Sequence, residues 1–326
     1  MEPRPDFELA LKGRKLRLGE RTLVMGVVNV TPDSFSDGGR YFDPGRAIEH
    51  GLELARQGAD WIDVGGESTR PGAKPISAEA ELCRVLPVIQ GLHRRRPSLA
   101  ISIDTTKAEV AEAAVRAGAA IINDVSGLRF DPRLAEVARR HRTPLVLMHL
   151  RGQPETMQQA PFARSIWRSL RDGLERSIRR ALACGVRRSQ LILDPGLGFG
   201  KSRRQNFEIL ARLEKLQSFR LPLLVGTSRK SFVQAVSAGE GLDLQAGRST
   251  TWPLPGGRGA LRAPASRARL DAREGGQSPP LRFGDAAALT AAILAGAHIV
   301  RVHGVAAMLP SIRIADAILA ARRSRP

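Results

Sequence analysis

Eight short apolar runs of this chain each end in polar side chains able to bind a ligand or handle charge. The endings are Asn29; Glu67-Ser68-Thr69-Arg70; Asp104; Asn123-Asp124; Met148-His149; Asp194; Ser228-Arg229-Lys230-Ser231; and Arg301 with His303. Any one of these aspartates or asparagines serves equally well as a turn residue or a helix cap. Capping does not account for eight together. The carboxylates of Asp104 and Asp194 and the amide of Asn123 suit a flat heterocycle with several N–H donors and a carbonyl, which Lys230 could reach. Arg301 offers a planar guanidinium for stacking on a ring or holding phosphate. His303, two residues on and therefore on the same strand face, adds a second phosphate donor. Asn29 supplies a hard oxygen of the kind Mg²⁺ accepts, with phosphate oxygens and water completing the shell. Together these groups suit a heterocycle carrying a pyrophosphate.

Such endings need strands to carry them. The apolar runs lie at 22–28, 60–64, 99–103, 119–122, 144–148, 191–193, 222–225 and 298–302. Near-continuous apolarity marks strands buried on both faces, and the amphipathic stretches between them are crossover helices. Eight such units predict an α/β fold: a single-domain (β/α)8 TIM barrel over 1–326, with its chemistry at the C-terminal rim. Residues 7–21 predict a small hairpin ahead of the first strand, and 285–295 a helix before the eighth. Between the seventh strand and that helix, 237–283 is rich in Gly, Pro, Arg and Ser without hydrophobic period. It is expected to be a disordered low-complexity insertion at the upper rim.

The net charge of +19 comes from 51 basic residues, of which only seven are lysine. The arginines are scattered, many at predicted helix ends where cations complement the dipole, and almost no aromatics interleave to stack bases. Nucleic-acid binding is therefore not expected, whereas an anionic small substrate gains from the field. Cys83 and Cys184 have neither disulfide nor zinc spacing, and no apolar run reaches membrane length. A cytoplasmic protein with no membrane partner is the expectation. GLGFGKS from Gly196 approaches a phosphate-loop pattern, but Pro195 occupies the first glycine position, so the glycines are expected to form a turn.

The blocks MGVVNVTPDSFSDGG from Met25, IDVGGESTRPGA from Ile62, SIDTTK from Ser102, INDVSG from Ile122, LMHLRGQPETMQ from Leu147, LDPGLGFGKS from Leu193, GTSRKS from Gly226 and IVRVH from Ile299 occur in one order. That series resembles the dihydropteroate synthases, pterin-binding enzymes of folate biosynthesis and targets of sulfonamides. The resemblance implies a cytoplasmic, homodimeric transferase that condenses hydroxymethyl-dihydropterin pyrophosphate with para-aminobenzoate. It implies that Asp104, Asn123, Met148, Asp194, Phe199, Lys230 and Arg301 surround the pterin. Asn29, Thr69, Arg301 and His303 would meet the pyrophosphate, with Mg²⁺ on Asn29. Asp33, Phe35, Thr69, Arg70, Pro71 and Ser231 would serve para-aminobenzoate, with loops 31–39 and 68–73 closing over it. Asp104, Lys230, Arg301 and His303 would carry catalysis.

Two departures stand out. The family pattern continues RVH with aspartate where this chain has Gly304, and the insertion separates Lys230 from Arg301. With the charge, they motivate one rival reading, a catalytically silent pterin-binding paralogue; a pterin-dependent methyltransferase-like barrel, which would share the ring-binding carboxylates and amide, is another. The second is opposed by Ser68 to Pro71, Ser231 and the Arg301/His303 pair.

Overall fold

The computed structural model describes residues 4–11, 13–31, 43–68, 72–153, 157, 165–238, 242–245, 248–250 and 279–323. The chain opens with β1 (Phe7–Leu11) and β2 (Arg14–Leu18), paired antiparallel. There follow β3 (Leu23–Asn29), α1 (Pro44–Arg56), β4 (Trp61–Gly65), α2 (Ala78–Arg95), β5 (Ala100–Asp104), α3 (Ala108–Arg116), β6 (Ile121–Asp124) and α4 (Leu134–His141). Next are β7 (Leu145–Met148), α5 (Ile166–Ala183), β8 (Leu191–Asp194), α6 (Arg203–Leu210), β9 (Leu224–Val225) and α7 (Ser231–Ser237). The last elements are β10 (Leu242–Gln245), β11 (Arg248–Thr250), α8 (Pro279–Leu294), β12 (Ile299–Val302) and α9 (Val305–Arg323). Eight strands form one sheet in the order β8-β7-β6-β5-β4-β3-β12-β9, and a parallel bridge from Leu193 to Leu223 joins its two edges. The eight expected strands and the hairpin are thus present, and the sheet is a barrel.

Strand alternation divides the core in two. Ile62 and Val64, Ile101 and Ile103, Leu145 and Leu147, and Val300 and Val302 face outward into the cluster shared with the helices. Their neighbours Met25, Trp61, Ala100, Ile121, Val146, Ile192, Leu224 and Ile299 form a second cluster inside the barrel. Leu9 and Leu18 of the β1–β2 hairpin, 1% and 0% exposed, belong to that inner cluster and plug the N-terminal end. Helix starts follow local chemistry: Asp43 and Ser77 accept backbone N–H groups at the heads of α1 and α2, and Ser202 with Gln205 forms a capping box on α6.

The expected insertion needs correction where it is described. Residues 242–245 and 248–250 pair as an antiparallel ladder, and α8 begins at Pro279, six residues before the helix expected from Asp285. Backbone pairing does not require hydrophobic period, which is why composition missed the ladder. The rest of 237–283 lies largely outside the described residues. Among the described residues, no helix is long and apolar enough to cross a membrane.

The plugged end is tied by Arg4, 3% exposed. Its guanidinium donates to the carbonyls of Gly19 (2.9 Å) and Ala297 (2.9 Å) and to Thr22 Oγ1 (2.8 Å), and it pairs with Asp316 at 3.3 Å. Removing it leaves buried acceptors short of donors. Arg4→Ala is expected to lower stability by about 3 kcal/mol in urea unfolding, and a loss below about 0.5 kcal/mol would refute the tie.

Candidate active site

Above the inner apolar layer the inward-facing positions turn polar, on β5 already at Ser102, two residues after Ala100. Asp63 follows Trp61, Asp104 follows Ser102, Asn123 follows Ile121, Asp194 follows Ile192 and Arg301 follows Ile299, each pair two residues apart along its strand. Asp104, Asn123, Met148, Asp194, Phe199, Lys230 and Arg301 line a single cavity, completed by Val125, Gly196, Leu197 and Gly226. All seven residues expected around the ring are therefore brought together.

The cavity is organised by charge. Arg301 donates through Nε to Asp63 Oδ2 at 2.7 Å and through Nη2 to Asp104 Oδ2 at 2.9 Å. Asn123 Nδ2 donates to the same Asp63 oxygen at 3.0 Å, which orients its amide. Burial and then the nearby Asp63 carboxylate raise Asp104 to about 8, against the pull of Arg301. Burial raises Asp194 to about 6 although the Gly196 N–H and Lys230 favour its anion. Lys230 is brought down to about 8 by burial and by Arg301. Burial also works against the Arg301 charge, but Asp63 and Asp104 outweigh it and hold the guanidinium above its ordinary value. Burial and like charges thus set these groups apart from solvated ones, which favours a reactive site over a structural ion cluster.

Local backbone explains how the rim side chains are aimed. Lys230 sits just before α7, after a turn in which Arg229 takes φ +57° and its N–H donates to Asp285 Oδ2 at 3.0 Å. Its Nζ lies 4.0 Å from the centre of the Phe199 ring. Phe199 is presented by the glycine-rich turn after β8. Gly196 has φ +63°, and a Cβ there would come within 2.2 Å of the His149 carbonyl oxygen, so only glycine fits. The turn is tied from within by Lys201, 2% exposed, whose Nζ donates to the carbonyls of His149, Gly196 and Phe199 at 2.9, 2.7 and 3.0 Å. Its ammonium is committed to backbone and is not presented to a phosphate, as the displaced glycine pattern had implied.

Other expected residues lie elsewhere. His303 is half-buried against Ser228 Oγ, at 3.3 Å from Nδ1, and does not line the cavity. Ser231 is the exposed first residue of α7 and is likewise absent from the lining. Asn29 ends β3 beside Gly65, half-buried and outside the lining. Asp33, Phe35, Thr69, Arg70 and Pro71 fall outside the described residues. Asp124, next to Asn123, is a turn former: its carboxylate accepts from the Ser126 N–H and hydroxyl at 2.8 and 2.7 Å and from the Leu128 N–H.

Three residues were missed by sequence reasoning. Asp63, wholly buried, is embedded in an apolar strand, and only its spacing from Trp61 could have signalled an inward position. Lys201 was hidden inside the decoy glycine motif. Lys107 bridges Glu67 and Glu81, each at 2.6 Å, while Glu67 also accepts the Ile76 N–H at 3.1 Å. That cluster pins both ends of the segment 67–76.

A family model described as pterin binding enzyme matches residues 25–254. The dihydropteroate synthase of Synechocystis sp. is 40% identical over 300 residues, covering 92% of this chain and 91% of that protein. That of Escherichia coli K12 is 38% identical over 302 residues, covering 93% of each. Among solved structures, Yersinia pestis dihydropteroate synthase with a sulfonamide drug complex superposes with TM-score 0.78 at 36% identity, over 97% of this chain and all of that one. The Xanthomonas albilineans dihydropteroate synthase with 4-aminobenzoic acid gives TM-score 0.78 at 36% identity, over 99% and 100% of the two chains. With its barrel, its polar rim and these matches agreeing, the chain belongs to the pterin binding enzyme family, among the dihydropteroate synthases.

Proposed function

We propose that this chain condenses hydroxymethyl-dihydropterin pyrophosphate with para-aminobenzoate, forming dihydropteroate and releasing pyrophosphate. The supporting observation is the convergence of Asp104, Asn123, Asp194, Lys230 and Arg301 on one cavity at the C-terminal mouth of the barrel. Ionised Asp194 presents two acceptor oxygens, suited to adjacent ring N–H groups. Asn123 has given an N–H to Asp63, leaving its carbonyl oxygen for the ring. Lys230 donates to the ring carbonyl or nitrogen, and Met148 with Phe199 covers the apolar edges. Arg301, fixed in plane by two carboxylates, lies against the ring, and together with His303 it neutralises the departing group.

In the reaction the bond from the pterin methylene carbon to pyrophosphate oxygen breaks, and the electron pair leaves with pyrophosphate. The amine of para-aminobenzoate, neutral near pH 7, forms the new C–N bond and then loses its proton to water. The protein's part is positioning and charge stabilisation, with no strong base required. Thr69, Arg70, Pro71 and Ser231, with Asp33 and Phe35, are assigned to the para-aminobenzoate side, and Asn29 and Thr69 to the pyrophosphate side. Mg²⁺ fits the donor chemistry: Asn29 gives one neutral oxygen, no group of three acidic, His or Cys ligands occurs among the described residues, and phosphate and water would supply the rest. Bound there, the ion would neutralise pyrophosphate charge. Free Cys83 and Cys184 support a cytoplasmic location. Ile314 and Ile318, one turn apart on α9 and 62% and 38% exposed, support a homodimer.

Two measurements test this reading. Purified protein with both substrates and Mg²⁺ is expected to yield dihydropteroate and pyrophosphate in equal amounts, and Asp104→Ala to lose about 100-fold in kcat/KM. Substrate binding without product would instead support the silent paralogue that Gly304 suggests, and near-normal turnover by the variant would overturn the site. Protonation supplies the second. Because Asp194 is raised to about 6, its two-acceptor form is lost as pH falls through that value. Affinity for 6-hydroxymethylpterin, followed by calorimetry, should drop about fivefold between pH 6 and 5 in the parent and stay flat in Asp194→Asn. A flat parent profile would remove Asp194 from ring recognition.

A further inference from the structure

A second cavity, of about 330 Å³, opens behind the pterin pocket between α5, the turn after β6 and the turn after β7. Among the described residues the two linings share only Met148. The proposed reaction uses none of the other residues here. Arg129, Arg151, Arg176 and Arg180 surround it, and no carboxylate lines it among the described residues. Three of the four are steadied by backbone: Arg129 donates to the Leu150 carbonyl at 2.6 Å, Arg180 to that of Leu128 at 3.2 Å and Arg151 to that of Gly200 at 3.2 Å. A guanidinium has five N–H donors, so for Arg129 and Arg180 a single tether orients the fork without exhausting it.

The wall is built as well as charged. His149, 5% exposed, lines the cavity, and its Nδ1 is buried without a hydrogen-bond partner. Burial, and then the charges of Lys201 and Arg151, hold its pKa well below the ordinary value, so the imidazole is neutral and adds no charge to the arginines. Like charge is uncompensated: burial lowers the Arg129 pKa, and the charges of Arg180 and Arg176 lower it further. An incoming anion relieves that repulsion.

We propose that this cavity binds a triphosphate-type polyanion, carried by inorganic polyphosphate or by a nucleoside triphosphate. Four guanidinium groups exceed what one phosphate or carboxylate neutralises. A nucleoside triphosphate, with about two charges on its one end group and one on each of its two inner groups, carries about four. Inorganic tripolyphosphate, with two end groups and one inner group, carries about five when fully ionised, so both are close to the four guanidinium charges. Phosphate oxygens also accept the paired donors of an arginine fork. The cavity volume lies in the range of small-molecule sites, roughly 300–1,000 Å³. The site is separate from the pyrophosphate position proposed for catalysis, since neither Arg301 nor His303 lines it.

The test is calorimetric titration of inorganic tripolyphosphate into the full-length protein at about 0.15 M salt, where unspecific attraction is largely screened. The comparison is the double variant Arg176→Ala/Arg180→Ala. Both arginines are exposed on α5, so the changes leave core packing intact. The expected result is at least tenfold weaker binding in the variant, with synthase turnover within twofold of the parent. Equal binding by parent and variant would overturn the site, as would citrate binding as tightly as tripolyphosphate, because a fork site for phosphate would then not be discriminating. A parallel titration with ATP separates the sources: tighter binding than tripolyphosphate assigns a nucleotide, and equal binding assigns the inorganic chain.

Discussion

The upper half of the barrel depends on one half-buried guanidinium. Arg301 on β12 lies between Asp63 on β4 and Asp104 on β5, residues 238 and 197 positions away in sequence. A charge in that interior is tolerable only because it is paired on two sides, and each carboxylate is tolerable for the same reason. The balance is asymmetric. Asp63 Oδ1 has no hydrogen-bond partner, so the cluster holds acceptor capacity in reserve. That reserve gives a ligand rich in N–H groups something to gain on entering. It is also why removing one member does more than delete a contact: the remaining charges lose their compensation.

The same pairing disciplines the fold. Because side chains alternate strictly, a one-residue slip of β12 would carry Arg301 out among the helices and bring Val300 or Val302 into the polar layer. The observed register, with Arg301 beside Met25 and Gly65 beside Asp104, is the one that keeps the apolar layer below and the polar layer above. The hairpin plug completes this division. With Leu9 and Leu18 sealing the N-terminal end, water reaches the charged layer from the rim alone, where substrates enter. Stability and chemistry therefore occupy opposite ends of the same strands.

Much of this was legible in the chain because both signals are local. Continuous apolar runs mark doubly buried strands, and a polar residue ending such a run marks the rim, so Asp104, Asn123, Asp194 and Arg301 could be found without the fold. What escaped depends on contacts distant in sequence. Asp63 interrupts its strand by one residue and gains meaning only from Arg301. The role of Lys201 is fixed by carbonyls at 149, 196 and 199, a geometry that no residue spacing encodes. His303 has the spacing to face inward, yet it follows the last residue of β12, and there the backbone leaves the strand and the ring packs on Ser228. Alternation stops being a guide where the strand stops.

That limit also explains how neighbouring residues serve two compartments. Met148 is the last residue of β7 and belongs to the barrel mouth, whereas His149 follows it outside the strand and faces the layer between sheet and helices. The two residues stand back to back, linked through His149 N–H to the Asp194 carbonyl and through its own carbonyl to Lys201. The excess positive charge bears on the two compartments unequally. Exposed pairs such as Arg56–Glu53 and Arg116–Glu112 offset each other locally and contribute little to stability. In the pterin pocket the cations face carboxylates. Around the second cavity no carboxylate of the described residues intervenes, so the field of the arginines is directed into the space they enclose.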